Sequence, residues 1–87
     1  MTITNVKIRR LLDSGKLRAI VSVTFDDELA VHDIKVIEGQ ERLFLAMPAR
    51  TLPNGDFADI AHPTSSDLRQ KIESAVIDEY LRAKSES

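Results

Sequence analysis

The sequence predicts an α+β domain in which an antiparallel four- to five-stranded β-sheet meander is followed by one C-terminal α-helix. Three observations favour this fold class. Apolar and polar residues alternate in four successive segments between residues 3 and 47, as they do in half-buried strands. Turn residues separate these segments at intervals of about ten residues, which is typical of a meander. The C-terminal segment instead repeats its apolar residues at helical spacing.

The first two strands are predicted to form a hairpin. Residues 3–12 alternate in polarity, and the following turn contains Gly15, which can adopt the positive φ that such turns need. Residues 17–26 alternate again and direct five apolar side chains to one face: Leu17, Ala19, Val21, Val23 and Phe25. We expect the opposite face to carry Arg18, Ile20, Ser22 and Thr24.

Two further strands extend this sheet. The acidic run at residues 26–28 is too charged for a strand interior and indicates a turn. Residues 29–37 are predicted to form the third strand and residues 43–47 the fourth, which ends at Pro48 because proline cannot donate to a strand ladder. Since one helix cannot cover both faces, we expect some apolar side chains on the uncovered face, where a second copy would bury them: Leu11, Ile20, Ile34 and Val36.

A turn-rich junction connects the sheet to the helix. Residues 50–52 are expected to form a short edge strand, residues 53–56 a turn, and residues 57–61 a brief strand closed by Pro63. The hydroxyl residues Thr64, Ser65 and Ser66 are candidate N-caps, and Asp67 follows Thr64 by three residues as in a capping box. The helix then presents a core-facing stripe, and further apolar residues widen it: Leu68, Ile72, Ala75, Val76 and Ala83, then Ile77, Tyr80 and Leu81.

Composition limits the class of protein. The 87 residues predict one small domain, spanning residues 1–84 with a frayed tail at 85–87. The balance of 43% apolar and 30% charged residues argues against disorder, and no apolar run approaches the roughly 20 residues that span a bilayer. The chain contains no cysteine and begins without a secretory signal, so we expect a cytoplasmic protein. A domain this small without disulfide bonds favours oligomerisation.

Charge is unevenly distributed along the chain. Residues 1–25 carry five basic residues against Asp13, whereas residues 26–47 carry six acidic residues against Lys35 and Arg42. The net charge of the whole chain is −2. This asymmetry predicts either a surface with one basic face or two solvated sheet faces of opposite sign.

Few residues suggest catalytic chemistry. His32-Asp33 and Asp59 with His62 are the only pairs that resemble a base with an orienting carboxylate or part of a metal site. Neither pair has a recognised ligand spacing, and strand alternation places His32 and Asp33 on opposite faces. We therefore expect no enzyme activity, metal, cofactor or small-molecule substrate, and a turn or capping role for His62. A small hydrolase or metal protein remains the least favoured alternative.

Three cations are more informative. Arg50 lies in the proline-rich junction, and Arg69 and Lys71 lie at the start of the helix. If the junction folds back beside the helix, the three would meet at a helix N-terminus, where the dipole and the basic side chains together attract phosphate. The alternative is that Arg69 and Lys71 belong to a solvated helix face. We expect the aromatic residues to be core rather than a base-stacking surface, with Tyr80 a candidate for a partner contact: Phe25, Phe44, Phe57 and Tyr80.

Five ordered motifs cover nearly the whole chain: IRRLLDSGKLRAI (residues 8–20), VHDIKVIEG (31–39), LFLAMPAR (43–50), PNGDFADIAHP (53–63) and RQKIESAV-x-x-EY (69–80). With these motifs the chain resembles the stage V sporulation protein G family of bacterial septation regulators. The resemblance implies a cytoplasmic homodimer that binds DNA, with RNA binding in some members, and that regulates septation, sporulation and gene expression.

The resemblance also assigns binding residues. Arg69 and Lys71 match a basic pair at the start of the family's helix, and Arg50 matches one of two adjacent basic residues that usually follow the MP motif. Thr51 and Ala58 stand where relatives often carry charge, which lowers the positive charge around the loop. Arg50, Arg69 and Lys71 are therefore the predicted nucleic-acid contacts. The competing hypothesis is an adaptor that binds septation proteins without binding nucleic acid directly.

Overall fold

The computed structural model describes residues 1–86. Four antiparallel strands form one sheet in the order β1-β2-β3-β4: β1 (Ile3–Leu11), β2 (Leu17–Phe25), β3 (Leu29–Glu38) and β4 (Leu43–Ala46). Two short strands, β5 (Ala49–Thr51) and β6 (Phe57–Asp59), pair in a separate hairpin, and the helix α1 (Ser66–Glu86) follows. The predicted fold class is confirmed: an antiparallel meander precedes a single C-terminal helix in the described residues.

The core lies between one face of the sheet and α1. The alternate residues Ala19, Val21 and Val23 of β2 are fully buried, because the strand period of two directs them to the same face. The helix meets them with Ile72, Val76 and Tyr80, which lie four residues apart and therefore line one side of α1. Phe25, Ile34 and Val36 complete this cluster.

A bulge in β3 changes which residues reach the core. Val21 pairs with Ile34 and Val23 with Val31, so His32 and Asp33 together lie opposite Ser22. Asp33 has a φ of 64°. Because β3 has one more residue than β2 at this point, every residue after the bulge faces the opposite side of the sheet from the one that simple alternation from Val31 predicts. Ile34 and Val36 consequently face α1 and are fully buried, so their predicted position on the uncovered face was wrong.

Similar irregularities near the β1–β2 turn place Leu11 and Arg18 on the helix side of the sheet. Leu11 pairs with the buried Ala19 and lines a cleft with Tyr80 on the helix side, contrary to the prediction. Arg18 is the extra residue between the Leu17 and Ala19 pairings, and its Nε donates a hydrogen bond of 3.3 Å to the Tyr80 hydroxyl. This bond raises the pKa of Arg18. Both residues were predicted for the other face because strict alternation does not anticipate a bulge.

The β5–β6 hairpin projects from the rest of the fold. No Cα atom of either strand lies within 8 Å of a Cα atom in β1–β4 or α1. Two large apolar side chains are exposed here, Phe57 by 75% and Ile60 by 66%. The prediction that every aromatic residue is core holds for Phe25 and Tyr80 but was wrong for Phe57 and for Phe44, which is 40% exposed.

Helix α1 begins directly after Ser65, one of the predicted N-caps. The Oγ of Ser65, rather than Thr64, accepts a hydrogen bond of 3.2 Å from the backbone N–H of Leu68. The helix continues through Ser85 and Glu86, which were predicted to fray together with Ser87, a residue outside the described part of the chain. Within residues 1–86, no helix combines the length and the apolar composition that crossing a membrane requires.

Candidate nucleic-acid interface

Arg50 is the central residue of β5 and is exposed. It pairs with Ala58 of β6, and the hairpin is closed by backbone hydrogen bonds from Leu52 to Asp56 and from Ile60 to Pro48, both of 2.7 Å. Within residues 1–86 the Arg50 guanidinium forms no ion pair or hydrogen bond, so its charge is available to a ligand.

Arg69 and Lys71 are exposed in the first turns of α1, as predicted. Because a helix advances about 100° per residue, side chains two positions apart point in directions roughly 200° apart around the axis. Lys71 lines a shallow groove that shares Ala75 and Asp78 with a second groove between α1 and β1. Arg69 therefore points toward the other side of the helix, away from β1.

The structure does not bring the three predicted cations together within one chain. Arg50 lies on a hairpin that does not pack against α1, and Arg69 and Lys71 point to different sides of the helix. The groove around Lys71 also contains Asp67 and Asp78, whose carboxylates reduce its local positive potential. A single copy thus presents three separate exposed cations rather than one basic pocket.

A second group of cations lies on the sheet face that α1 leaves uncovered. Cross-strand partners point to the same face, and Ile20 pairs with Arg10 on one side and Lys35 on the other. Lys7 pairs with Ser22, two residues further along the same face of β2. The sequence indicated an excess of positive charge in residues 1–25, but only the strand register shows that Lys35 joins it on one surface.

The two histidines occupy separate places. His32 Nδ1 lies 2.7 Å from Ser22 Oγ, and His62 Nδ1 lies 3.2 Å from the carbonyl oxygen of Pro63, in agreement with the turn role predicted for His62. Across residues 1–86, no group of three or more His, Cys, Asp or Glu side chains is arranged to hold a metal ion.

The family profile and the similar proteins found by comparison all indicate the same family. The SpoVG family profile matches residues 1–82. A protein of Caldanaerobacter subterraneus subsp. tengcongensis is 58% identical over 84 residues, covering 97% of this chain and 92% of its own length. A Thermoanaerobacter sp. protein is 60% identical over 84 residues, covering 97% and 91%. A Clostridium novyi protein is 59% identical over 87 residues, covering 100% and 87%.

Each of these relatives is named as a candidate septation protein, SpoVG. The identity extends over nearly all of each chain, so it includes the sheet, the β5–β6 hairpin and the helix rather than one shared motif. The chain therefore belongs to the SpoVG family.

Proposed function

We propose that this protein is a non-enzymatic, cytoplasmic regulator of septation, sporulation and gene expression that binds DNA or RNA as a homodimer. Arg50, Arg69 and Lys71 contact phosphates in this proposal. The observation that carries it is that, within residues 1–86, all three side chains are exposed and none is engaged in an ion pair or hydrogen bond. Contacts of this kind fix a protein on the nucleic-acid backbone and carry little sequence information.

The exposed apolar side chains of the β5–β6 hairpin are an argument for the proposed homodimer. A two-stranded hairpin alone is marginally stable in water, and this one exposes Phe57 and Ile60 without packing on another element of its chain. A second copy would bury these apolar side chains and would duplicate Arg50, Arg69 and Lys71 by twofold symmetry. Two copies of a scattered set of cations bind a polyanion more tightly than one copy does.

The dimer is tested by the molar mass in solution. Sedimentation equilibrium of the wild type should give twice the chain mass, and Phe57→Ser/Ile60→Ser should give the mass of one chain. Leu81→Ser is the matched control, because it removes an apolar side chain that is also exposed, by 49%, but lies on α1. A monomeric wild type, or a dimer unaffected by the hairpin variant, would contradict this part of the proposal.

Nucleic-acid binding is tested by fluorescence anisotropy with a labelled DNA duplex over a series of salt concentrations. Replacing two phosphate contacts, as in Arg69→Ala/Lys71→Ala, should weaken binding and reduce the slope of log affinity against log salt by about 1.8. Arg42→Ala, a change in the exposed β3–β4 turn, controls for the loss of one charge elsewhere. Unchanged affinity in the double variant would refute the assignment of these two residues.

The second candidate is an adaptor that binds septation proteins without binding nucleic acid. It is favoured by the exposed acidic turn at Asp26, Asp27 and Glu28, which repels a polyanion. In this case the duplex would show no shift at low salt, and nuclease treatment would not prevent recovery of division proteins in a pull-down. Loss of that recovery after nuclease treatment would favour the nucleic-acid hypothesis instead.

A further inference from the structure

We propose that the sheet face opposite α1 is a binding surface for single-stranded nucleic acid, separate from the cations of the hairpin and helix. Its cationic residues are Lys7, Arg10 and Lys35, and its apolar centre is Ile20, Ile37 and Phe44; we call this surface the open face. The inference rests on the proposed function in that it presumes nucleic-acid binding. It adds a second site and specifies the form of the ligand.

The strand register places the cations of the open face. Arg10 and Lys35 flank Ile20 on the two neighbouring strands. Because adjacent strands lie about 4.8 Å apart, the backbones that carry Arg10 and Lys35 are separated by roughly 10 Å across the sheet. Lys7 lies further along β1, opposite Ser22. Long flexible side chains at these positions can reach successive phosphates of an extended strand.

The apolar centre of the open face favours unpaired bases over a duplex. Ile37 pairs with Phe44 and Lys35 pairs with Ala46, so Phe44 and Lys35 lie on the same face of the sheet. Phe44 is 40% exposed, and one edge of its ring approaches Gly39 closely enough that an added Cβ would lie 3.2 Å from it. Bases of a single strand can stack on such a ring, whereas a duplex presents mainly its phosphates to a flat surface.

Charge complementarity also identifies a polyanion rather than a second copy. Within residues 1–86, the side chains of Lys7, Arg10 and Lys35 form no ion pair or hydrogen bond. The acidic residues of β3 are Asp33, in the bulge opposite Ser22, and Glu38, which lines a groove with Ile37 and Phe44 at the end of the strand. Stacking two copies of this face against each other would oppose like charges, which is unfavourable.

The test uses the full chain and two labelled probes, an oligothymidine of about 12 nucleotides, within the range that one single-strand site spans, and a duplex of the same length. Anisotropy is measured for Lys7→Gln/Lys35→Gln and for Arg69→Gln/Lys71→Gln, which each remove two positive charges. Phe44→Leu removes the ring while keeping an apolar side chain. Circular dichroism and sedimentation equilibrium of every variant report folding and molar mass.

We expect Lys7→Gln/Lys35→Gln to reduce the salt slope for oligothymidine by roughly 1.4, the value for two phosphate contacts to a single strand. Phe44→Leu should weaken oligothymidine binding by about tenfold, corresponding to one stacked base, and should leave duplex binding unchanged. Arg69→Gln/Lys71→Gln should weaken duplex binding more than oligothymidine binding. These results together would establish two sites.

Three outcomes would overturn the inference. Oligothymidine affinity could be unchanged in Lys7→Gln/Lys35→Gln, or both double variants could weaken it equally while Phe44→Leu has no effect. Alternatively, the open-face variant could change the molar mass, which would assign this face to contact between copies. Oligothymidine binding that depends on the open face, without duplex binding, would instead refute only the helix site of the proposed function.

Discussion

The two faces of the four-stranded sheet have opposite characters, although they alternate along the same strands. The face toward α1 buries Ala19, Val21 and Val23 completely. The open face carries half-buried Ile20 between Arg10 and Lys35. One helix therefore suffices to form the core of this small chain, and the other face of the sheet is left uncovered by any helix of the described residues.

The largest expected effect is a loss of stability that differs between substitutions on the two faces. Ile72→Ala should lower the free energy of unfolding by about 2–5 kcal/mol, because it leaves a cavity in the core between α1 and the sheet. Ile20→Ala on the open face should cost less than about 1.5 kcal/mol, since the side chain is already partly in water. Urea denaturation measures the free energy of unfolding of both variants. Equal losses would mean that the open face is covered in solution.

The bulge that assigns β3 residues to their faces can be tested next. Asp33 has a φ of 64°, a conformation that a β-branched residue adopts with strain. Asp33→Val should therefore destabilise the fold by about 1–3 kcal/mol, whereas Asp33→Gly should be nearly neutral. Ala30→Val in the same strand is the control, because its φ is not positive. If valine is tolerated equally at both positions, Asp33 does not adopt this conformation.

The smallest effect concerns the border between α1 and β1. The Glu79 carboxylate accepts a hydrogen bond of 2.7 Å from Arg82 Nε, and this bond lowers the pKa of Glu79. A lowered pKa means that the pair stabilises the fold above the ordinary glutamate pKa, and that this stabilisation is lost as the pH falls through the lowered value. An NMR titration should show the Glu79 midpoint return to its ordinary value in Arg82→Gln. An unchanged midpoint would exclude Arg82 as the cause.

Local sequence patterns predicted most of the fold. Alternation and turn residues located the strands, and the apolar repeat that includes Ile72 and Val76 identified the inner side of the helix. Tyr80, a predicted candidate for a partner contact, is instead buried in the core. The side-chain faces of Leu11, Ile34 and Val36 could not be predicted, because a bulge reverses alternation without changing polarity. The isolation of the β5–β6 hairpin also depends on tertiary packing rather than on local preference.

The candidate site was predicted less completely than the fold. Exposure of Arg50, Arg69 and Lys71 followed from their polarity. The expected meeting of the three cations does not occur within one chain, because the β5–β6 hairpin does not fold back onto α1 and the two helix residues point to different sides. The open-face cations required knowledge of the strand register, since Lys7 and Lys35 belong to segments of opposite net charge. Cross-strand neighbours of this kind are not visible in a linear sequence.

We propose that this SpoVG-family protein contacts nucleic-acid phosphates through Arg50, Arg69 and Lys71. The most direct measurement is an NMR titration of the isotope-labelled chain with a DNA duplex at low salt, following every assigned backbone amide. We expect shifts concentrated at β5 and in the first turns of α1, which diminish as salt is added. A duplex that shifts none of these amides, or that shifts only residues elsewhere in the chain, would contradict it.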